Sequence, residues 1–519
     1  MTSIPMSRDK KALLFINDFA DKGAERFYLS FGGMVVEVSA EEVVKEEGEL
    51  VCHDYWLIAP ALYKKTNSLP KWVTDVEELR ISTSGRREDR ENRDTADVYA
   101  GLLDSVGPEA IGRYRNIVFK SAAFDADTFV LMGAALLSLS ERVEANAQAA
   151  DEWDRYSTIE RPVTDYLIRS AANGIAIDSA SLHRHKEEIE FLYYMSLKDF
   201  SARYSLPLEV PSDEDVMEYL APLGFDFSGV GVEYVLNFVP MQDGFSDRLV
   251  ELRKIANSRW TLNSIPLSQK RIFPMVDSFG SITSRIYYKD PSLQNLSKRH
   301  RDILAADEGR KLSYVDFGQY EAGIMGALSG DERMLALFAA GDLYAQVAQQ
   351  LFSDASKRKH AKRLFLSYAY GMKRKGLIDA AFGLGARRDA AKNFFNQFSQ
   401  FENWKSGVWA EFRANGRVGT VLGNYLARSG SGDLSEKEKR SAVSQVVQGT
   451  ASLIFKKALL RLSSVPDVEL KVPMHDAVLF QHPKEFDPEL VSGLFADVLT
   501  AHFNGQINGK ASVESFLQN

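Results

Sequence analysis

Two hydrophobic periods alternate along the chain. Apolar residues at every second position, or in short unbroken runs, read as strands, and those at i, i+3, i+4 and i+7 read as helices. Over residues 1–150 the strand-like runs ALLFIN, MVVEV and NIVF are interleaved with helical segments, which predicts a small α/β unit. Within it the polar stretch STSGRREDRENRD, residues 82–94, predicts a loop. From about residue 158 to 270 the pattern is helical and amphipathic, as in EEIEFLYYMSLKDF, and predicts a helical arm. After Ile272 the two periods mix: KLSYVDF predicts a strand, residues 333–415 predict long helices, and ELKVPMHDAVLFQHP predicts strand, turn and strand. Val472 and Met474 alternate before that turn and Val478 and Phe480 after it, so His475 and Asp476 fall at or beside a hairpin tip.

The segment HAKRLFLSYAYGM, residues 360–372, carries two stripes on one helix. Ala361, Leu364, Phe365 and Tyr368 fit a core-facing stripe, as in any amphipathic helix. Arg358, Lys362, Leu366 and Tyr370, spaced by four, line a second face about 18 Å long that runs from cationic to apolar to aromatic. Guanidinium and ammonium groups suit phosphate oxygens, and an aromatic ring suits a base. A nucleoside triphosphate has this order of chemistry along its length.

Composition narrows the setting. A chain of 519 residues with 45% apolar residues has material for several compact units. No apolar run approaches the roughly 20 residues of a membrane span, and MTSIPMSRDKKALLF lacks the apolar core and cleavage site of a secretory signal, so no membrane partner and a cytoplasmic location are expected. A single cysteine, Cys52, excludes internal disulfides and cysteine-rich zinc sites. The net charge of −8 argues against a protein coated in basic residues, yet Lys357, Arg358, Lys359, Lys362, Arg363, Lys373, Arg374 and Lys375 follow one another with no acidic residue between them. That stretch reads as a local anion site in an acidic chain or, taken alone, as a solvated basic helix face.

Two aspartates sharpen the picture. Asp316 follows the strand-like LSYV and Asp476 lies in MHDAV at the hairpin turn. Carboxylates on adjacent strands can hold two Mg²⁺ ions about 3.5–4 Å apart for in-line nucleotidyl transfer. Each alone reads more readily as a turn or cap residue than as a catalytic one, and spacing leaves open whether they meet.

At this point the motifs resemble those of family A DNA polymerases. VDFGQYEAGIMGALSGDE (residues 315–332) resembles motif A, the helix bearing Arg358, Lys362, Tyr370 and Gly371 resembles motif B, and PMHDAV resembles motif C. TSRIYYKDPSLQNL is similar to the primer-template segment, TIERPVTDYLIRSAANGIAID to the entry of the thumb, and VVQGTAS to a palm helix, with NGRVGTVLGN also matching. The match is collinear from about residue 155 to 485. It implies a right-hand fold, α/β and α+β: a degenerate 3′–5′ exonuclease-like domain (1–150), thumb (151–280), first part of the palm (281–332), fingers (333–430) and second part of the palm (431–519). It implies Asp316, Asp476 and the Phe317 backbone as ligands of two Mg²⁺ ions, replaceable by Mn²⁺. It implies Arg358, Lys362, Leu366, Tyr370, Gln319, Glu321 and Tyr344 around the incoming dNTP, with Glu321 as the steric gate hydrogen-bonded to Tyr370. Arg285, Gln294, Asn295, Gln448 and His475 match positions that contact primer or template. The implied partners are primer-template DNA and dNTPs, with replisome proteins unspecified.

Departures from the family pattern carry expectations of their own. Ala477 replaces the Glu after the motif C His-Asp, Gly323 replaces the motif A arginine, and Tyr344 replaces a histidine. Leu366 stands where the family has Phe or Tyr, a pattern that resembles some phage polymerases, with replication in the host cytoplasm as the implied setting. In the N-terminal unit Asp18 and Asp125 match exonuclease carboxylates, but Ala20, Ile58 and Ser121 stand at the partner positions, so a fold without proofreading is expected. Two rivals to a DNA polymerase remain: a catalytically inactive DNA-binding replication scaffold, and a single-subunit RNA polymerase, which Glu321 disfavours because ribonucleotide use calls for a small residue there.

Overall fold

The computed structural model describes residues 9–17, 25–93, 97–119, 121–225, 231–238 and 244–518. The chain opens with β1 (Lys10–Ile16), β2 (Arg26–Phe31) and β3 (Met34–Val38), an antiparallel set, followed by β4 (Glu49–Cys52) and β5 (Val73–Asp75), which add in parallel to give the order β3-β2-β1-β4-β5. Strand β1 is apolar on both sides and is covered on both. Ala12, Leu14 and Ile16 pack with Leu102, Tyr114, Phe129 and Leu136 of the helices Val98–Val118 and Ala126–Ala149. Leu13 and Phe15 face the opposite way, into a core that continues through Val163 and Leu167 to the rest of the molecule.

Two sequence expectations change here. NIVF is no strand but the last turn of the helix Val98–Val118, where Ile111, Tyr114 and Ile117 recur every three residues on the buried side. Residues 82–94 are not one loop: the helix Val76–Thr83 runs into them and a short helix, Arg87–Glu91, follows, fixed by the buried Arg90, whose guanidinium donates to Asn424 Oδ1 at 2.9 Å.

The expected helical arm is present. The helices Ser179–Tyr204 and Phe245–Asn263 bury Leu197, Phe200, Leu249 and Leu252 together with Val216 and Leu220 of the helix Asp213–Leu220. Its base is tied by β6 (Ile175–Ile177), β7 (Arg271–Ile272) and, beyond the pair β8 (Met275–Asp277) and β9 (Tyr287–Lys289), β10 (Leu304–Ala305), in the order β10-β6-β7. Next comes β11 (Arg310–Phe317). The long helices expected over residues 333–415 are instead a run of shorter ones: Glu332–Ala339, Leu343–Phe352, Arg358–Ala369, Arg374–Gly383, Arg388–Phe395 and Ser399–Asn415. Left-handed residues break the pattern at Gly341, Ser353, Gly371 and Gly385. The hairpin β12 (Arg417–Thr420) and β13 (Gly423–Ala427) and the long helix Glu436–Leu462 lead to β14 (Glu469–Met474), β15 (Ala477–Pro483) and finally β16 (Ala511–Glu514), which with β11 form an antiparallel sheet ordered β14-β15-β11-β16. Among the described residues no helix is long and apolar enough to cross a membrane.

A histidine pair joins the arm to the segment before β10. His300 Nδ1 lies 3.2 Å from His185 Nδ1, and His185 Nε2 is 2.6 Å from Asp302 Oδ1. Burial, and then the neighbouring His185, push His300 from 6.5 down to about 4. Folded, His300 stays neutral in this interval, while the unfolded chain takes up the proton, so stability falls as pH drops from about 6.5 to about 4. Denaturation at a series of pH values is expected to show a loss of about 2 kcal/mol over this interval that is absent in His300→Asn.

Candidate active site

The four-stranded sheet determines which residues meet. Along β11 the side chains alternate, so Val315 and Phe317 are buried beneath the sheet while Asp316 points to the opposite face. Asp316 pairs with Ala477 of β15, and the Phe317 amide donates to the Asp476 carbonyl at 3.1 Å. His475, with φ of 50°, turns the chain between β14 and β15, so it and Asp476 form the hairpin tip as the sequence pattern indicates. The two aspartates that the sequence left separate are therefore neighbours.

Their electrostatics favour a cation. Asp316 is pushed up to about 7, first by burial and then by the charges of Asp476 and Glu514; Lys362 and Lys298 pull the other way. Its Oδ1 is buried with no hydrogen-bond partner. An orphaned carboxylate oxygen beside a second carboxylate, in an all-oxygen donor set, fits a hard divalent cation such as Mg²⁺ or Mn²⁺.

The helix Arg358–Ala369 bears the two stripes. Ala361, Leu364, Phe365 and Tyr368 are all at most 2% exposed, whereas Arg358 and Lys362 are exposed and Leu366 and Tyr370 half-buried. Tyr370 caps the helix, and Gly371 turns it off at φ of 94°, a backbone that a side chain would strain. Arg358 Nε donates to Asp342 Oδ2 at 2.6 Å, and both Arg358 and Lys362 sit 5.5 Å from the ring of the buried Tyr344. Lys362 also acts on both Asp316 and Asp476, so this helix faces the acidic pair.

Glu321 links the remaining parts. It lies in the first turn of the helix Tyr320–Ser329, where Oε1 accepts from Arg285 Nη2 at 2.8 Å and Oε2 accepts from the Tyr370 hydroxyl at 2.5 Å. Gln448 reaches the same hydroxyl, and burial with Glu321 alongside keeps Tyr370 in its phenol form. The His475 and Tyr287 rings meet in a T-shaped contact, centroids 6.1 Å apart. Asn295 is exposed. Two other expected contact residues spend their amides internally. Gln319 donates to the Gly341 carbonyl and accepts from the Leu343 amide, both at 2.9 Å, and Gln294 accepts from the Tyr288 amide at 3.1 Å.

In the N-terminal unit Asp18 lies outside the described residues. Asp125 caps the helix Ala126–Ala149, accepting from the Thr128 amide at 3.1 Å, and Ile58 is buried in the core. The sequence reading passed over His53, Asp54 and Glu77, whose ligand atoms lie within 4.8 Å of one another where β4 and β5 end. Burial, with Asp75 and Asp54 beside it, pushes Glu77 up to about 8, and His53 Nδ1 is 2.9 Å from Asp54 Oδ2. Also unread were Asp342, the partner of Arg358, and a buried charge network behind the site. There Arg155 pairs with Glu152 at 2.9 Å and with Glu160, while Lys456 Nζ donates to Glu160 Oε2 at 2.6 Å, the Ser278 carbonyl at 2.9 Å and Ser284 Oγ at 3.1 Å. The one available signal was a charge inside an apolar run, as in LIFKKALL.

Known proteins resemble this chain in sequence and in fold. The family model for DNA polymerase family A matches residues 233–513. The thermostable DNA polymerase I of Thermus thermophilus is 25% identical over 382 residues, 66% of this chain and 46% of its own length. DNA polymerase I of Chloroflexus aurantiacus is 27% identical over 256 residues, 44% of this chain and 27% of its own. The chain thus spans about half the length, or less, of the curated relatives it matches. Among solved structures, the POL domain of Pol1 from M. smegmatis, in complex with DNA primer-template and dNTP, superposes with a TM-score of 0.74 over 97% of this chain and 94% of that one, at 19% identity.

Proposed function

The chain belongs to DNA polymerase family A, and from that membership we propose that it is a template-directed DNA polymerase extending a DNA primer with dNTPs. The observation that carries the reading is the orphaned Asp316 oxygen next to Asp476, with Lys362 acting on both carboxylates. Asp316 and Asp476, with the Phe317 backbone, would hold the divalent cations. Bound there, these would activate the primer 3′-hydroxyl and neutralise the departing pyrophosphate.

The chain's own groups do the positioning. Arg358 and Lys362 take the triphosphate at the open end of their helix, beside Tyr344, while Tyr370 lies under the base. Glu321 is held from two sides by Arg285 and Tyr370, and on this reading it would crowd a 2′-hydroxyl of the incoming sugar. Gln448, His475, Arg285 and Asn295 are assigned to primer and template; Gln294 and Gln319 support the backbone around them. On this reading residues 1–150 form an exonuclease-like unit without proofreading, 151–280 the thumb, 281–332 and 431–519 the palm, and 333–430 the fingers. Apolar Ile58 and the capping role of Asp125 support the loss of proofreading. Release of a mismatched 3′ nucleotide that disappears in Asp125→Ala would overturn it. Replication of a phage genome remains the proposed setting for the Leu366 variant.

Primer extension on a primed template, with dNTPs and rNTPs in parallel and with Mg²⁺ or EDTA, tests the reading. Extension with dNTPs and Mg²⁺ alone supports it; extension with rNTPs would point to an RNA polymerase, and binding without extension to a scaffold. Leu366 is half-buried and carries no hydroxyl. Leu366→Tyr is expected to raise dideoxynucleotide incorporation relative to dNTP by about tenfold or more, a ratio read from competing extension products and equivalent to about 1.4 kcal/mol.

A further inference from the structure

Ala477 lies directly across from Asp316, in the place where the family pattern has a third acidic side chain, and leaves that flank apolar. The other flank of Asp316 is different. Strand β16 pairs with β11 in a register that matches Ser512 to Asp316 and Glu514 to Tyr314. Paired residues of an antiparallel ladder share a face, and so do residues two apart on one strand. Asp316, Ser512 and Glu514 therefore stand on the same face, with Glu514 diagonal to Asp316 and within the reach of a long side chain.

We propose that Glu514 is the third carboxylate of the cation site, supplying from β16 the negative charge that Ala477 omits from β15; the proposal rests on the reading of Asp316 and Asp476 as the cation ligands. Glu514 is exposed and free for the purpose. Its Oε1 accepts from Ser512 Oγ at 2.9 Å, which aims the carboxylate back along the strand, and no cation among the described residues pairs with it. Asp316 Oδ1 is buried and without a hydrogen-bond partner, and the strands flanking β11 carry the Asp476 hairpin on one side and Glu514 on the other. Two carboxylates leave a pair of divalent cations dependent on the triphosphate for charge balance. A third retains cation before nucleotide arrives, so its effect is greatest in the nucleotide-free protein.

The test is Mn²⁺ binding to the nucleotide-free full chain, followed by the loss of the free-ion paramagnetic resonance signal, in the wild type, Glu514→Gln and Asp476→Asn. Glu514→Gln is expected to weaken Mn²⁺ binding about tenfold, and extension lost at low Mg²⁺ is expected to return as Mg²⁺ is raised, which misfolding would not allow. Mn²⁺ affinity within twofold of wild type in Glu514→Gln, with Asp476→Asn clearly weakened, overturns the role of Glu514 and leaves the cation site standing. Unchanged affinity in both variants overturns the cation-site reading and this proposal with it.

Discussion

Asp316→Asn will abolish metal-dependent primer extension, by about three orders of magnitude or more, while making the cation-free protein more stable at pH 8. Both effects follow from one geometry. The Asp316 carboxylate has an oxygen buried without a partner and two further carboxylates acting on it, so its ionised form is unfavourable until a cation arrives. The amide removes the ligand and the repulsion together. Because the Asp316 carboxyl is pushed up to about 7, the ionisation cost appears as pH rises from about 3.8 to about 7, and the stability gain of the variant should shrink to nothing below pH 4. Extension assays and thermal unfolding of the same preparations check both signs. A variant that lost activity and stability together would show that Asp316 holds the fold and not a cation.

Glu160→Gln is expected to be among the most damaging single changes for folding, costing about 3–5 kcal/mol. The buried network holds three cations, Arg90, Arg155 and Lys456, against two carboxylates, Glu152 and Glu160, all at most 6% exposed. It is already short of negative charge, and burial drags Lys456 down to about 8. Removing Glu160 leaves three cations facing one carboxylate. Lys456→Met in the same chain restores the balance, so the double variant should recover most of the loss, a coupling that chemical denaturation of the two single variants and the double would measure. Recovery at the site should lag behind recovery of stability, because Lys456→Met also removes the hydrogen bond to Ser284, the left-handed residue that precedes Arg285.

What the sequence made legible is what local periodicity controls. The hairpin bearing Asp476 and the two stripes of the helix Arg358–Ala369 could be read because alternation and the four-residue repeat are imposed by backbone geometry over a few residues. NIVF was misread for the same reason: a four-residue apolar run is compatible with a strand or with a helix end, and only the spacing back to Tyr114 and Ile111 decides. Glu514 and the Glu160 network escaped because nothing local distinguishes a carboxylate on a solvated face from one brought beside Asp316 by strand pairing, or one enclosed between helices. Gln319 and Gln294 show the converse. The motif puts them near the nucleotide and primer, yet their amides complete local backbone hydrogen bonding, which no motif states.

The network also bears on what can be cut from this protein. Ser82 accepts from Arg155 Nη2 at 2.6 Å, the Gly85 carbonyl accepts from the Ala427 amide at 2.8 Å, and Arg90 reaches Asn424, so the N-terminal unit supplies part of the lining around charges that lie in the interior of its neighbour. Excision at residue 150 would leave Glu152, Arg155 and Glu160 facing water on one side and hydrocarbon on the other. The unit is therefore a keystone rather than an appendage.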